Sequence, residues 1–100
     1  MANKRIIPVE QFCTHYNIEV SFIHSLQDHG LTEISVVEKI PYIREDKIKD
    51  LERLIRMHYD LEINMEGIEA ISHLLYRLEL MQGELRTLKN RLNFYEAHHH

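Results

Sequence analysis

The sequence predicts a mainly α-helical fold, in which a small helical domain with a short β-hairpin leads into one long C-terminal helix. Apolar residues in the last third of the chain recur at steps of three and four, as they do along one face of a helix. The same spacing appears in two short stretches before residue 30. Between residues 32 and 43 the spacing becomes every second residue and β-branched side chains are frequent, which is typical of paired strands.

The first two helices are short and joined by a tight turn. Helix one is predicted over residues 6–16, with Pro8 in its first turn and Asn17 in the left-handed conformation that ends it. Its apolar face is Val9, Phe12, Cys13 and Tyr16. Helix two is predicted over residues 19–29, and Gly30 followed by Leu31 is its stop signal. Its apolar face is Phe22, Ile23 and Leu26. Such a pair forms a helix-turn-helix.

A two-stranded wing is predicted over residues 32–43, turning near Glu38 and Lys39. The apolar residues of one parity are Ile34, Val36, Ile40 and Tyr42. Pro41 lacks an N–H group and predicts an edge strand. A third helix begins at Glu45 and fades near Leu61. Its inner face is Ile48, Leu51, Leu54, Ile55 and His58, and we expect His58 to be a hydrogen-bonded core residue rather than a metal ligand.

One long amphipathic helix is predicted from Asn64 to Tyr95, with Asn64 as its cap and Ile63 packing on Ile68 as a hydrophobic staple. Its apolar seam follows a heptad pattern. The seam is Ile71, Leu74, Leu78, Met81, Leu85, Leu88, Leu92 and Tyr95. Such a helix spans roughly 45 Å, whereas a compact domain of this size has a radius of gyration near 13 Å. The seam therefore needs a helical partner, and we predict a homodimer, with parallel and antiparallel pairing both open.

The domain organisation predicted from these elements has three parts. Residues 1–62 form the winged helix-turn-helix domain, residues 63–97 form the coiled-coil dimerisation helix, and residues 98–100 are a purification-tag remnant. With 44% hydrophobic and 28% charged residues, no apolar run of membrane-spanning length and no secretory leader, we expect a cytoplasmic protein. The single cysteine, Cys13, lies on the apolar face of helix one, which predicts a buried thiol.

The charge distribution argues against nucleic acid as the partner. No lysine or arginine lies between Ile6 and Glu38, and this stretch contains five acidic residues: Glu10, Glu19, Asp28, Glu33 and Glu38. Duplex DNA binders neutralise roughly 6–10 phosphates, and they read bases most often with arginine or lysine. Helix two offers only Gln27 as a bidentate reader. The basic residues from Lys39 to Arg56 alternate with acidic ones, as on a solvated helix face.

The order of elements resembles the winged-helix domains of the MerR type, through His29-Gly30-Leu31 after helix two, Glu45-Asp46 opening helix three and Met65-Glu66-Gly67-Ile68 in the long helix. More specifically, the chain resembles the CbpM-type chaperone modulators, through Val9-Glu10-Gln11-Phe12-Cys13, the stretch from Glu62 to Ile68 and the coiled-coil end from Leu85 to Leu92. This resemblance implies a protein that binds the J-domain of a DnaJ-like, CbpA-type co-chaperone and restrains it. It also implies a cationic target, since J-domains present a positively charged helix.

The resemblance places helix two where MerR-type proteins read the major groove. The family's basic residue early in that helix is replaced here by Phe22 and Ile23, and the wing lacks the family's Gly-Tyr-Arg type of element. We therefore expect helix two and the wing to dock a J-domain. The residues predicted to do so are Glu19, His24, Gln27, Asp28, Glu33 and Glu38.

Two other hypotheses remain. The alternative function is a MerR-like DNA-binding transcriptional regulator. An enzyme is the weakest hypothesis, because the sequence has no phosphate-binding glycine loop, no nucleophile elbow and no paired carboxylates with a plausible cleft. His24 and His29 are five residues apart, which does not place two metal ligands on one helix face. We expect no catalytic residues, no metal and no cofactor.

Overall fold

The computed structural model describes residues 5–98 of the chain, so two residues of the predicted tag remnant, His99 and His100, lie outside the described part. Four α-helices and three strands are present in the described part. In chain order they are β1 (Ile6–Pro8), α1 (Val9–Tyr16), α2 (Val20–Asp28), β2 (Ser35–Val37), β3 (Ile40–Arg44), α3 (Ile48–Ile55) and α4 (Met65–His98). A 3₁₀ turn (Glu45–Lys47) precedes α3 and a π-helical turn (Arg56–Asp60) follows it. The mainly α-helical fold with a small wing and a long C-terminal helix is confirmed.

The strands form one antiparallel sheet in the order β1-β3-β2. The prediction that residues 6–8 begin helix one was wrong, because they form β1 and pair with β3, Ile7 lying opposite Ile43. Pro8 has extended ψ, 139°, and stands just before the helix as its cap residue. The pairing joins residues far apart in sequence, so local spacing carried no signal of it. It helps to bury Ile43, which is 0% exposed.

The wing turns at Glu38 and Lys39, as predicted, and both residues have positive φ, 50° and 67°. The two-residue turn places Val37 opposite Ile40 and Val36 opposite Pro41. The even-numbered residues of β2 therefore lie on one face of the sheet, and the even-numbered residues of β3 lie on the other. For this reason the alternation of apolar residues in the sequence does not correspond to a single buried face. The edge assignment of Pro41 was also wrong, since β3 is the central strand. Proline is tolerated there because β1 pairs with β3 only from Tyr42 onward.

Helices α1 and α2 end as predicted, each in a Schellman arrangement. Asn17 adopts the left-handed conformation, φ 55°, while the Ile18 N–H donates to the Cys13 carbonyl at 2.9 Å. Gly30 has φ 72°, and the Leu31 N–H donates to the Leu26 carbonyl at 2.9 Å. These two ends fix the tight helix-turn-helix connection and the start of the wing.

The core lies among α1, α2, β3, α3 and the first turn of α4. Its buried residues are Val9, Phe12, Cys13, Phe22, Ile23, Leu26, Ile43, Leu51, Leu54, Ile55, Met57 and Ile68. His58 is half-buried and hydrogen-bonded as predicted, with its Nδ1 3.1 Å from the Ile63 carbonyl oxygen and its ring stacked on Phe22 at 4.6 Å. Met57 was missed, because the π-helical turn shifts the face that points inward.

Helix α4 begins as predicted, with Asn64 Oδ1 accepting a hydrogen bond from the Gly67 N–H at 2.8 Å. Ile68 is fully buried. A Cβ at Gly67 would lie 2.7 Å from Ile63 Cγ2, so a residue with a side chain would collide with the residue that precedes the cap. The chain divides into two compact units, one ending at Glu69 and the other beginning at Ala70, so the first turn of α4 belongs to the first unit.

Replacing Gly67 with alanine is expected to destabilise the protein by roughly 1–3 kcal/mol, because the stiff β-branched side chain of Ile63 must shift. Gly83, also within α4, is the matched control, since a Cβ there meets nothing within 4 Å. Gly83→Ala should instead stabilise the helix by about 1 kcal/mol. Urea unfolding followed by circular dichroism tests both variants, and equal effects of the same sign would contradict the packing at Gly67.

A second test concerns the hydroxyl of Tyr16, which donates to Glu52 Oε2 at 2.7 Å and joins α1 to α3. This hydrogen bond to the carboxylate raises the pKa of Tyr16 above its ordinary value of 10.0. Because the folded-state pKa is raised, the stabilisation is complete below pH 10 and is lost as the pH rises through the folded-state pKa.

Tyr16→Phe is therefore expected to cost about 1 kcal/mol at neutral pH, and the difference from the wild type should shrink in alkaline buffer. Burial raises the pKa of Cys13 as well, so part of the alkaline loss of stability should persist in the variant. Unfolding curves from pH 7 upward measure both effects. A difference that stays constant with pH would show that the hydrogen bond is not formed in solution.

Candidate protein-docking surface

Helix α2 presents one face to the core and the other to solvent. Phe22, Ile23 and Leu26 are buried, which fixes the rotation of the helix. His24, Gln27 and Asp28 are exposed, and their spacing of three and four residues places them on one side. The solvent side of α2 therefore has no cationic lysine or arginine and carries a carboxylate at its C-terminal end.

All six residues predicted to dock a partner are exposed, and we refer to them together as the acidic front. They are Glu19, His24, Gln27, Asp28, Glu33 and Glu38. Glu19 and Asp28 lie at opposite ends of α2, roughly 13 Å apart along its axis. Glu33 lies in the connection to β2, and Glu38 lies in the turn of the wing. The acidic front therefore extends along a helix and onto a hairpin rather than forming a compact cluster.

Glu19 is held in place at the start of α2. Its backbone N–H donates to the Tyr59 hydroxyl oxygen at 3.2 Å, and its Oε2 accepts a hydrogen bond from the Ser21 hydroxyl at 3.2 Å. Tyr59 in turn packs edge-on against Phe22, with ring centroids 5.3 Å apart. The π-helical turn after α3 thus supports the N-terminal end of the acidic front.

Glu69 is a neighbour of α2 that local sequence spacing does not indicate. Its Oε2 lies 2.9 Å from Nδ1 of His29, although the two residues are 40 positions apart. Only the packing of the first turn of α4 against α2 brings them together. The Glu69 carboxylate therefore lies against the His29 ring, next to the C-terminal end of α2.

The basic residues after the wing turn are partly neutralised by neighbouring carboxylates. Arg44 Nε lies 3.2 Å from Asp46 Oδ1, and an Arg53 guanidinium nitrogen lies 3.9 Å from Asp50 Oδ1. These ion pairs are exposed and contribute little stability. They support the interpretation of this stretch as a solvated face with paired charges rather than a phosphate-binding stripe.

The predicted seam of α4 is exposed in the single chain. Ile71 is half-buried, and every seam residue from Leu74 to Tyr95 is between 49% and 62% exposed. Three further large apolar side chains lie off the seam and were not singled out from the sequence: Tyr76, Leu80 and Phe94. Isolated exposed apolar residues are common, but a continuous apolar row on a helix marks an interaction surface.

The comparison with known families agrees with the observed fold, in which a helix-turn-helix and a wing precede one long terminal helix. The model of the MerR HTH family of regulatory proteins matches residues 7–90. This chain belongs to that family. The match extends from β1 through most of α4, so it covers the helix-turn-helix, the wing and the terminal helix of this MerR-type protein together.

Several relatives of this MerR-type chain carry the name chaperone modulatory protein CbpM. The protein of that name from Pseudomonas entomophila is 23% identical over 87 residues, which is 86% of each chain. The one from Escherichia coli O1:K1 is 24% identical over 100 residues, covering 98% of this chain and 99% of its own. The one from Pseudomonas putida is 24% identical over 87 residues, again 86% of each chain. The similarity to proteins of this name thus extends over nearly the whole length.

The cysteine of this MerR-type chain lies in the core, not at a reactive surface site. Cys13 is 3% exposed, and burial raises the pKa of its thiol, as expected of a core cysteine. Within residues 5–98, no three or more histidine, cysteine or acidic side chains are grouped so as to hold a metal ion. In the same range no helix combines the length and apolar character needed to cross a membrane. The expectation that the protein is not an enzyme stays a prediction.

Proposed function

We propose that this protein is a non-enzymatic chaperone modulator that binds the J-domain of a DnaJ-like, CbpA-type co-chaperone through its acidic front and inhibits it. The observation that carries the proposal is the charge of α2. This helix occupies the place of the reading helix in a MerR-type fold, yet its exposed side has no lysine or arginine. The relatives named chaperone modulatory protein CbpM support the same role.

Electrostatics favours a cationic protein over DNA as the partner of the acidic front. DNA affinity depends on replacing the counterions of roughly 6–10 phosphates with lysine or arginine. The helix-turn-helix and the first wing strand offer none of these side chains and expose carboxylates instead. A surface of this charge repels a polyanion and accelerates the encounter with a cationic partner by long-range steering. The positively charged helix of J-domains, which the family resemblance implies, has the complementary charge.

The double variant with Asp28→Lys and Glu33→Lys reverses two charges of the acidic front. We expect it to bind an isolated J-domain roughly tenfold more weakly, mainly because its association rate is slower. Both side chains are exposed and lie outside the core, so the fold should be retained. Surface plasmon resonance over a range of salt concentrations measures the association rate and its salt dependence.

The matched control is Asp50→Lys with Glu79→Lys, which changes the net charge equally on exposed residues of α3 and α4. The control should retain most of the wild-type affinity. An unchanged dissociation constant for the first variant, or an equal loss in both, would reject the acidic front as the docking surface.

The MerR family match favours one alternative, a DNA-binding transcriptional regulator. That function requires submicromolar binding to a duplex at physiological salt, with an affinity that falls steeply as salt increases. We expect no such binding when genomic fragments are selected on the immobilised protein and retested as labelled duplexes. Tight, salt-sensitive binding to a selected duplex, together with no response to a J-domain, would replace the proposed function by the alternative.

We also propose that α4 forms a homodimer through its heptad seam, from Ile71 to Tyr95. The exposure of this apolar row in the single chain supports the proposal, because burying it against a second helix removes apolar surface from water. In a parallel pair Glu84 faces Lys89 of the partner subunit and Arg91 faces Glu96 of the partner subunit. These flanking charges are favourable at the edges of a seam.

Leu85→Glu is expected to weaken the dimer roughly a hundredfold or more, since it places two carboxylates in the seam. Asn90→Glu is the control, because it introduces the same charge at an exposed position of α4 outside the seam. Sedimentation velocity over a concentration series measures the association. A wild-type chain that remains monomeric, or equal behaviour of both variants, would contradict dimerisation through the seam.

A further inference from the structure

The wing hairpin has two different faces. On the inner face Ile43 is 0% exposed, and Ile7 lies opposite it. The register of the three strands places the other parity on the outer face. We call it the outer sheet face, and it comprises Ile6, Pro8, Ser35, Val37, Ile40, Tyr42 and Arg44. Most of these side chains are apolar, although they point away from the core.

The outer sheet face is exposed where it is most apolar. Val37 and Ile40 are each 47% exposed, and Ile6 is 43% exposed. Val37 and Ile40 are direct cross-strand partners, which places their Cβ atoms about 5 Å apart. The sheet thus presents a fixed pair of β-branched side chains beside the turn, and this pair can insert together between the side chains of a partner.

We propose that the outer sheet face supplies the apolar anchor of the docking interface and that its occupant is the cationic helix of the J-domain. This inference rests on the proposed function and adds to it the residues that hold the complex together. Exposed charges at the rim of an interface mainly set the association rate, whereas buried apolar anchors set most of the affinity. The acidic front by itself lacks such anchors, since Phe22, Ile23 and Leu26 of α2 are buried and Val20 is half-buried.

Charge complementarity selects this occupant. Glu38 follows Val37 directly in the turn, and Glu33 lies two residues before β2, so two members of the acidic front flank the anchor. The hairpin also carries two cations, Lys39 in the turn and Arg44 at the end of β3, and Arg44 is paired with Asp46 at 3.2 Å. A helix with basic residues beside an apolar stripe matches this arrangement, because its cations meet Glu33 and Glu38 while its apolar stripe covers Val37 and Ile40.

Side-chain packing on the face explains the affinity better than strand addition at the sheet edge. Strand β2 is an edge strand, but it is only three residues long. An added strand of that length gains few backbone hydrogen bonds, each with a small net contribution. The exposed apolar area lies on the face of the hairpin, so the face is the better anchor.

The test uses a double variant in which Val37→Thr and Ile40→Thr are combined. It is compared with the single variant Val36→Thr. Threonine keeps the β-branched shape that strands favour, so the hairpin should be retained in all variants. Val36 belongs to the same strand and is 67% exposed, but it lies on the opposite face, which makes it the matched control. An isolated, labelled J-domain of a DnaJ-like co-chaperone is the probe, and association and dissociation rates are measured at several salt concentrations.

We expect the Val37 and Ile40 variant to dissociate roughly tenfold faster or more, with its association rate and salt dependence unchanged. Val36→Thr should stay within about twofold of the wild type. Wild-type rates in the double variant, or an equal loss in Val36→Thr, would overturn the outer sheet face as the anchor.

The two proposals fail in different ways. If Asp28→Lys with Glu33→Lys slows association while Val37→Thr with Ile40→Thr has no effect, the J-domain is bound but the anchor lies elsewhere. If the wild-type protein does not bind the J-domain at any salt concentration tested, the proposed function and the anchor are both rejected.

Discussion

The packing at the start of α4 is the constraint on which the rest of the first unit depends. Asn64 caps the helix, Ile63 occupies the space that a side chain at position 67 would need, and Ile68 is fully buried. Glycine at position 67 leaves this space to the Ile63 side chain. These contacts close the core beneath α2, and they bring Glu69 to His29 at the end of α2. The capping residues and the buried isoleucine therefore determine the surroundings of the helix that carries the candidate site.

The candidate site illustrates how one fold can serve different partners. The backbone arrangement of a MerR-type winged helix-turn-helix is intact, with both helix ends closed by left-handed residues and the wing turned at Glu38 and Lys39. What differs from a DNA reader is the chemistry of the exposed side chains. Fold alone does not assign function, which depends on the residues placed on the fold. Here the exposed side of α2 has a carboxylate and no lysine or arginine, and the proposed partner is accordingly a cationic protein rather than DNA.

Three surfaces of the chain combine exposure with a definite chemical character. The acidic front provides charge, the outer sheet face provides apolar contact, and the seam of α4 provides a long apolar row. Glu33 and Glu38 of the acidic front lie beside β2 and in the wing turn, close in sequence to Val37 and Ile40 of the outer sheet face. The seam is separate in sequence and has the heptad spacing suited to another helix. The proposed self-association and the proposed partner binding therefore involve different residues.

The sequence alone determined the features that depend on local chemistry. Helix periodicity marked α1, α2, α3 and α4, and Asn17, Gly30 and Asn64 marked helix ends, because capping and left-handed turns involve residues only a few positions apart. The exposure of Asp28 follows from the same local spacing, since the buried face of α2 fixes the rotation of the helix. The lack of lysine and arginine before the wing turn is a property of the sequence itself.

Only the tertiary structure decided which distant residues meet. Four features depend on contacts between segments that local spacing cannot connect. They are the pairing of β1, the central position of β3, the burial of Met57 and the contact of His29 with Glu69. Local spacing also failed within the wing, over only a few residues. The two-residue turn places odd-numbered residues of β2 on the same face as even-numbered residues of β3, so Val37 and Ile40 lie side by side in solvent. Local patterns report the preferences of short segments. The pairing of Val37 with Ile40, by contrast, depends on a strand register that the fold as a whole selects.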